Sequence, residues 1–343
     1  MSRTSLMQTW LVSVLGHTDF TVAPASSDAS FRSYHRVSLP QGNSFIVMDA
    51  PPEHEDCRPF VRIAELLRAA GVNTPRIQAQ SLEQGFLLLE DFGSQTYLDV
   101  FAPFAGFIPF NNPALPQVRL LLGHAIESLV ALQQADGSQL PPYDEALLRR
   151  EVMLFPEWFA AKHLNRPLTV QEQQVWEDGI AILLANITQQ AAVPVHRDFT
   201  VRNLMLTAEH NPGVLDFQDA VVGPISYDIL SLTRDAFIGF DDELVLDCVV
   251  RYWEQARKAG LPVPEQIDEF WRDFEWMGVQ RHLKVAGIFA RLHYRDGKSK
   301  YLAEIPRFLD YIRKTCNRYE ELRPLGALVR DLAGIEEQVG YTF

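Results

Sequence analysis

The chain is poor in cysteine, in positive charge and, over its first half, in lysine. It has three cysteines in 343 residues. Cys57, Cys248 and Cys316 are far apart, odd in number and in no metal-ligand spacing. That argues against a disulfide framework and for a reducing compartment. Lys and Arg total 31 against 44 Asp and Glu, a net charge of −13, which opposes nonspecific binding to nucleic acid or to an anionic membrane. No apolar run reads as a membrane span. The stretch behind Arg3 imitates a signal peptide, with Ala23-Pro24-Ala25 as a mock cleavage site. However, Gln8 and Thr9 interrupt it, and His17 and Asp19 follow it. Leu6, Trp10, Leu11 and Val14 instead mark one face of an amphipathic helix. The expectation is a cytoplasmic protein with no nucleic-acid, membrane or obligate protein partner. Repeats and low-complexity tracts are also missing. With 47% hydrophobic and 22% charged residues, the composition is that of an ordinary globular chain, long enough for two lobes.

The densest chemistry lies at His196-Arg-Asp198-Phe-Thr-Val-Arg-Asn203, followed by Leu215-Asp216-Phe217. It reads H-x-D-x-x-x-x-N and then an aspartate between apolar residues, the pattern of protein-kinase-like phosphotransferases. Each part has a task in that chemistry. Asp198 accepts a proton from an attacking hydroxyl. Asn203 and Asp216 hold Mg2+ against ATP phosphates. Val193-Pro-Val195 leads in as an extended run. Asn203–Leu206 and Val214–Phe217 read as two strands around a turn at Glu209–Gly213.

Residues 20–92 read as a small α+β lobe. Strands are expected over Phe20–Pro24, Phe31–Leu39, Ser44–Asp49, Arg76–Gln80 and Phe86–Glu90. A helix carrying Phe60, Ile63, Ala64, Leu67 and Ala70, closed by Gly71, falls between the third and fourth. From about residue 95 helices dominate, with expectations near 144–163, 170–191, 226–237, 242–259, 264–293, 304–321 and 325–334. The fold class is therefore α+β and bilobal, with a nucleotide-binding lobe at 1–92 and a helical lobe at 93–343. Tyr97–Phe110, rich in Phe and Pro, is expected to be packed within the chain.

The nucleotide end is unusual for what it omits. Ser26–Ser30 occupies the place of a glycine-rich loop without a glycine; Ser27 and Ser30 are its candidate phosphate contacts. Leu88–Gly93 reads as a hinge, with the backbone near Glu90 and Phe92 facing adenine. The third strand has no lysine, and the first lysine of the chain is Lys162. Arg32, nearest the loop, is the candidate replacement, with Glu65 as its carboxylate partner.

These segments resemble the aminoglycoside-phosphotransferase-like family of small-molecule kinases. Within it the chain is similar to bacterial ATP-dependent anomeric kinases of cell-wall recycling, which phosphorylate N-acetylmuramate and N-acetylglucosamine at the C1 hydroxyl. The resemblance rests on Ser27–Tyr34, Val47–Pro52, Leu89–Gly93, Leu140–Tyr143, Arg150–Trp158, His196–Met205, Val214–Ala220 and Gln280–Leu292. Met48-Asp-Ala-Pro-Pro52 in place of a lysine strand is a shared feature. The resemblance implies Asp198 as base and Asn203 and Asp216 as magnesium ligands. The superfamily often has glycine after the histidine; here Arg197 stands there. At the acceptor end, Arg281, Lys284, Arg291 and Arg295 share one helix face with Ile288. That stripe is either a receptor for an anionic amino sugar or a solvated helix face. Glu151 and Trp158 are further pocket candidates, and Asp228 caps a helix or braces the catalytic loop. An aminoglycoside kinase and a non-catalytic kinase-like scaffold are the competing readings.

Overall fold

The computed structural model describes residues 2–27, 31–104 and 106–335. The chain forms two compact units, Met1–Val100 with Val201–Ala220, and Phe101–Thr200 with Val221–Phe343. The expected amino-terminal lobe, 1–92, falls inside the first unit, which also takes in 93–100 and 201–220. The boundary between Thr200 and Val201 runs through the H-x-D-x-x-x-x-N pattern itself.

In the first unit, helix α1 (Arg3–Leu15) precedes strands β1 (Thr21–Ser27), β2 (Ser33–Ser38) and β3 (Ser44–Asp49). Helix α2 (Arg58–Ala69) and strands β4 (Ile77–Ser81) and β5 (Phe86–Glu90) follow, the expected β-β-β-α-β-β order. The strands form one antiparallel sheet, β1-β2-β3-β5-β4. Ser2 caps α1 by accepting the Ser5 N–H at 3.2 Å, and Gly16 ends it at φ 76°. The helix buries Met7 and Leu11 against Val37, Val47, Phe86 and Leu88, with Leu6 and Trp10 half-buried beside them. Val14, expected on that face, points to solvent. Strand alternation puts Met48, Leu87 and Leu89 on the opposite face, and these are buried too. Burial on both faces explains why β5 reads Phe-Leu-Leu-Leu and does not alternate.

The strands Leu204–Met205 and Gly213–Val214 pair as the expected hairpin, shorter than the sequence suggested. It joins this unit through backbone bonds from Val214 to Asn73 and from Leu206 to Gln95, each 2.8 Å. Gly213 has a packing reason to be glycine: an added Cβ would sit 2.5 Å from the Phe92 ring.

The second unit is helical. Its helices are Leu115–Gln133, Glu145–Val152, Val170–Ile187, Tyr227–Thr233, Asp242–Lys258, Ile267–Asp296, Ile305–Arg318 and Arg323–Ala333. The expected continuous helix over 144–163 is broken: α geometry stops at Val152 and a π-helix runs over Phe155–His163. Pro156 lacks the N–H that a regular α-turn needs there. The chain entering this π-helix lies against the long helix Ile267–Asp296, where Gly287 permits the approach. A Cβ at Gly287 would meet the Leu154 carbonyl carbon at 2.3 Å.

Among the described residues one helix is long and apolar enough, by length and composition alone, to cross a membrane. Leu115–Gln133 has 19 residues and a mean hydropathy of 1.2. Its apolar face is spent inside the unit, with Val118, Leu122, Ala125, Ile126, Leu129 and Leu132 buried, as a core helix requires. The Phe/Pro segment is mixed: Phe101 is buried, Phe104 and Phe110 are half-buried, and Phe107 is exposed. Phe107–Ile108 pairs in parallel with Gly239–Phe240.

Candidate active site

The first unit carries Asn203 and Asp216. The hairpin pairing brings Asn203 Nδ2 within 3.5 Å of Asp216 Oδ2. Asp216 has φ 64°, in the left-handed region that side chains other than glycine rarely enter. Its Oδ1 accepts from Gln218 Nε2 at 2.8 Å, which fixes the carboxylate plane. Such backbone strain, costing about 1–3 kcal/mol, gathers at functional positions. Half a turn of the Asn203 amide presents Oδ1 toward the same point. A carboxylate and an amide oxygen form the hard donor set that suits magnesium completed by phosphate oxygens. Among the described residues no three His, Cys, Asp or Glu side chains converge, so there is no all-protein metal cage.

The other nucleotide candidates of this unit are partly committed. Ser27 ends β1 opposite Ser33, and Ser30 lies outside the described residues. Arg32 is largely buried and sits 3.9 Å from Glu55. The expected partner Glu65 is exposed. At the hinge, Glu90 and Arg76 exchange backbone and side-chain bonds: the Glu90 N–H donates to the Arg76 carbonyl at 2.8 Å, and the Arg76 N–H to Glu90 Oε2 at 3.2 Å. Phe92 is half-buried against Gly213.

Sequence reasoning missed Asp91. Arg36 grips it through Nε at 2.6 Å and Nη2 at 3.1 Å, and Ser44 donates to it at 2.7 Å. Burial raises the Asp91 pKa, but these donors and the Gly93 N–H outweigh it and hold the carboxyl below its usual range. Arg36 also donates to the Gly93 carbonyl at 2.6 Å, so strand β2 pins residues 91–93. A signal is there in the sequence: alternation puts Arg32, Tyr34 and Arg36 on one strand face. Arg3 likewise pairs with Asp49 at the end of the lysine-free β3 and lies over the Phe86 ring at 4.4 Å.

The second unit carries Asp198, which is exposed. The loop that presents it is held from below. Buried His196 accepts the Asp198 N–H at 3.3 Å, and the Asp198 carbonyl accepts the Thr200 N–H at 2.9 Å. Asp228 is fully buried and accepts the N–H groups of His196 at 2.6 Å and Arg197 at 3.1 Å. It braces the catalytic loop, one of the two roles foreseen for it. Burial pushes its carboxyl up to about 6, opposed by His196 and the two backbone donors and aided by the Asp198 charge.

Behind Asp198 lies a buried polar network. Arg197 adopts φ 75°, a conformation suited to glycine. What holds an arginine there is Glu151, whose Oε1 accepts from Nη2 at 2.5 Å, together with the Tyr143 ring 5.4 Å from the guanidinium carbon. Glu151 Oε2 takes the Tyr143 hydroxyl and lies 3.0 Å from Lys284 Nζ. Lys284 also donates to the Tyr227 hydroxyl at 3.1 Å. Burial opposes the Lys284 charge, but Tyr227, Glu151 and Asp198 together keep its pKa above the ordinary value. Burial and the neighbouring Tyr227 and Glu151 raise the Tyr143 hydroxyl, so it remains a donor.

The basic stripe is therefore no solvated face. Arg281 and Lys284 are buried, Arg291 is half-buried, and only Arg295 is exposed, paired with Asp296 at 2.7 Å. Trp158, on the π-helix, is half-buried. Tyr143 had appeared only inside a matching segment; no spacing rule marked it as a partner of Glu151.

Two facts now define the class of protein. The fold is protein-kinase-like, with a sheet-rich amino-terminal part and a helical remainder, and residues 21–277 match the phosphotransferase enzyme family. The chain belongs to that family, and membership implies ATP as its phosphoryl donor. Among its relatives is the N-acetylmuramate/N-acetylglucosamine kinase of Neisseria meningitidis serogroup B, 50% identical over the full length of both chains. The kinase of the same name from Pseudomonas aeruginosa is 49% identical over 90% of this chain and 88% of that one. Solved structures share the fold at low identity. An ADP-bound aminoglycoside phosphotransferase, APH(2'')-Ib, aligns at TM-score 0.59 and 12% identity over 90% of this chain and 98% of that one. A choline/ethanolamine kinase family protein from Mesorhizobium loti aligns at 0.62 and 14% over 96% and 100%.

Proposed function

We propose that this chain is an ATP-dependent kinase transferring the γ-phosphoryl group to the anomeric C1 hydroxyl of N-acetylmuramate and N-acetylglucosamine. The observation that carries the reading is half identity, end to end, to a kinase named for those two sugars. An intact Asp198, Asn203 and Asp216 supports it. In this reading Asp198 orients the C1 hydroxyl and takes its proton as the oxygen attacks. His196 and Asp228 hold the loop that carries it. Asn203 and Asp216 bind magnesium through their side-chain oxygens. That ion would neutralise the ATP phosphate oxygens. Arg32 and the backbone at Ser27 serve the phosphates, and the segment around Glu90 and Phe92 receives adenine. Lys284, Arg281, Arg291 and Glu151 form the acceptor side. Residues 1–92 serve the nucleotide and 93–343 the loop and the sugar. Positioning and electrostatics carry most of the rate. ATP as donor and three buried, free cysteines suit a cytoplasmic enzyme of cell-wall recycling.

ADP release measured with Mg-ATP and a panel of N-acetylmuramate, N-acetylglucosamine, glucose and kanamycin tests this. Turnover with the two amino sugars is expected. Turnover with kanamycin alone, or with nothing, would overturn the reading.

A further inference from the structure

The cations of the acceptor side are not equivalent. Lys284 and Arg197 both have a fixed carboxylate in Glu151, and Lys284 also donates to the Tyr227 hydroxyl. Arg281 lies one turn earlier on the same helix and is only 5% exposed, so water cannot solvate it fully. No Asp or Glu among the described residues pairs with it, and its buried Nε has no hydrogen-bond partner. Its guanidinium carbon lies 5.8 Å from the centre of the Tyr227 ring, the same ring that Lys284 Nζ approaches at 5.6 Å. The next residue, His282, is also fully buried. Burial, Arg234 and Arg281 push it well below its ordinary value, so it stays neutral and supplies no counter-charge. The neighbouring Arg234 is already paired with Glu275 at 3.4 Å. A buried guanidinium without an anion is costly, and an incoming carboxylate removes that cost while gaining charge-assisted hydrogen bonds.

We infer that Arg281 is the residue that reads the carboxylate of an acidic amino sugar, and that Lys284 is a positioning residue held by Glu151. This rests on the functional reading above and sharpens it. N-acetylmuramate differs from N-acetylglucosamine by a lactyl ether whose carboxylate is the one added charge. Arg281 therefore bears on the choice between the two sugars, while phosphoryl transfer to C1 is common to both. Arg291, half-buried with an unpartnered Nε but closer to solvent, is a weaker second contact.

The test compares three acceptors: N-acetylmuramate, its lactyl methyl ester and N-acetylglucosamine, with the wild-type chain, R281Q and R281K. In the wild type, kcat/KM for the acid should exceed that for the ester by roughly 10- to 100-fold, the worth of a charged hydrogen bond. R281Q should collapse that ratio to near one and lower the acid-to-N-acetylglucosamine preference by the same factor. R281K should restore part of it. Equal losses on all three acceptors in R281Q, or an unchanged acid-to-ester ratio, would overturn the inference. So would a wild type indifferent to esterification, an arm that needs no variant to fold. A wild type that phosphorylates neither sugar would bring down the functional reading as well, and that pattern is distinct from the others.

Discussion

Three arginines of the first compact unit and three cations of the second differ in how they are paired. In the first, Arg3, Arg32 and Arg36 each stand beside a carboxylate: Asp49, Glu55 and Asp91. In the second, Arg197 and Lys284 share Glu151, and Arg281 has none. Counting arginines along a strand or helix therefore says little about anion binding; which of them are already paired says more. The comparison also separates tasks. Asn203 and Asp216, the proposed metal side chains, lie in the first unit, and Asp198, the proposed proton acceptor, lies in the second.

The largest effect should come from Asp198→Asn. Turnover is expected to fall roughly 10²–10⁴-fold, as for loss of a general base, while Mg-ATP affinity stays within about twofold. Steady-state kinetics beside a nucleotide titration checks both, and turnover near the wild-type rate would erase the base assignment. Next is Glu151→Gln, which leaves buried Lys284 and half-buried Arg197 without their carboxylate. Denaturant unfolding should show a loss of about 3–5 kcal/mol. Arg295→Ala, on the exposed end of the same helix, should leave the midpoint unmoved. If both variants unfold alike, the contrast between paired buried cations and solvated ones is lost.

Asp228 gives a pH signature. Its carboxyl is held up to about 6 when folded, against an ordinary value of about 3.9 in the unfolded chain. Between those values the unfolded chain sheds a proton that the folded chain keeps. The stability due to this group is therefore full below about pH 4 and declines as pH rises to about 6, by up to about 3 kcal/mol. It is level above that. Unfolding of wild type and Asp228→Asn from pH 4 to 7 should show the gap between them changing in that direction; a constant gap would contradict the burial argument. The smallest effect sharpens the division of labour from the other side. Asp216→Ala should weaken Mg-ATP binding by at least roughly 10- to 100-fold, judged by what lesser changes around metals cost. Calorimetric titration with unchanged affinity would remove Asp216 from the metal.

Much of this molecule was readable in advance because its signals are local. The β-β-β-α-β-β order followed from short apolar runs and from the helix stop at Gly71. The hairpin after Asn203 followed from Asn-Pro-Gly in its turn. The spacing from Asp198 to Asn203 is likewise written in consecutive residues. What stayed hidden depends on partners far apart in sequence. Asp91 is bound by Arg36 from 55 positions away, and Gln280 donates to the Leu148 carbonyl at 3.1 Å across 132 positions. Neither link has a spacing rule. The break at residue 152 was missed because Pro156 permits both a helix start and a π-turn, and packing against Gly287 decides between them. The loop at Ser26–Ser30 was placed only by its order among the strands, and Ser30 lies outside the described residues.

The most direct test of the central claim is phosphorus NMR of the product formed from N-acetylmuramate and Mg-ATP, with Asp198→Asn run in parallel. The account predicts a phosphate ester whose phosphorus couples to the anomeric proton, loss of the reducing end, and none of that signal from the variant. An ester on another hydroxyl, free phosphate without any sugar ester, or equal product from Asp198→Asn would contradict it.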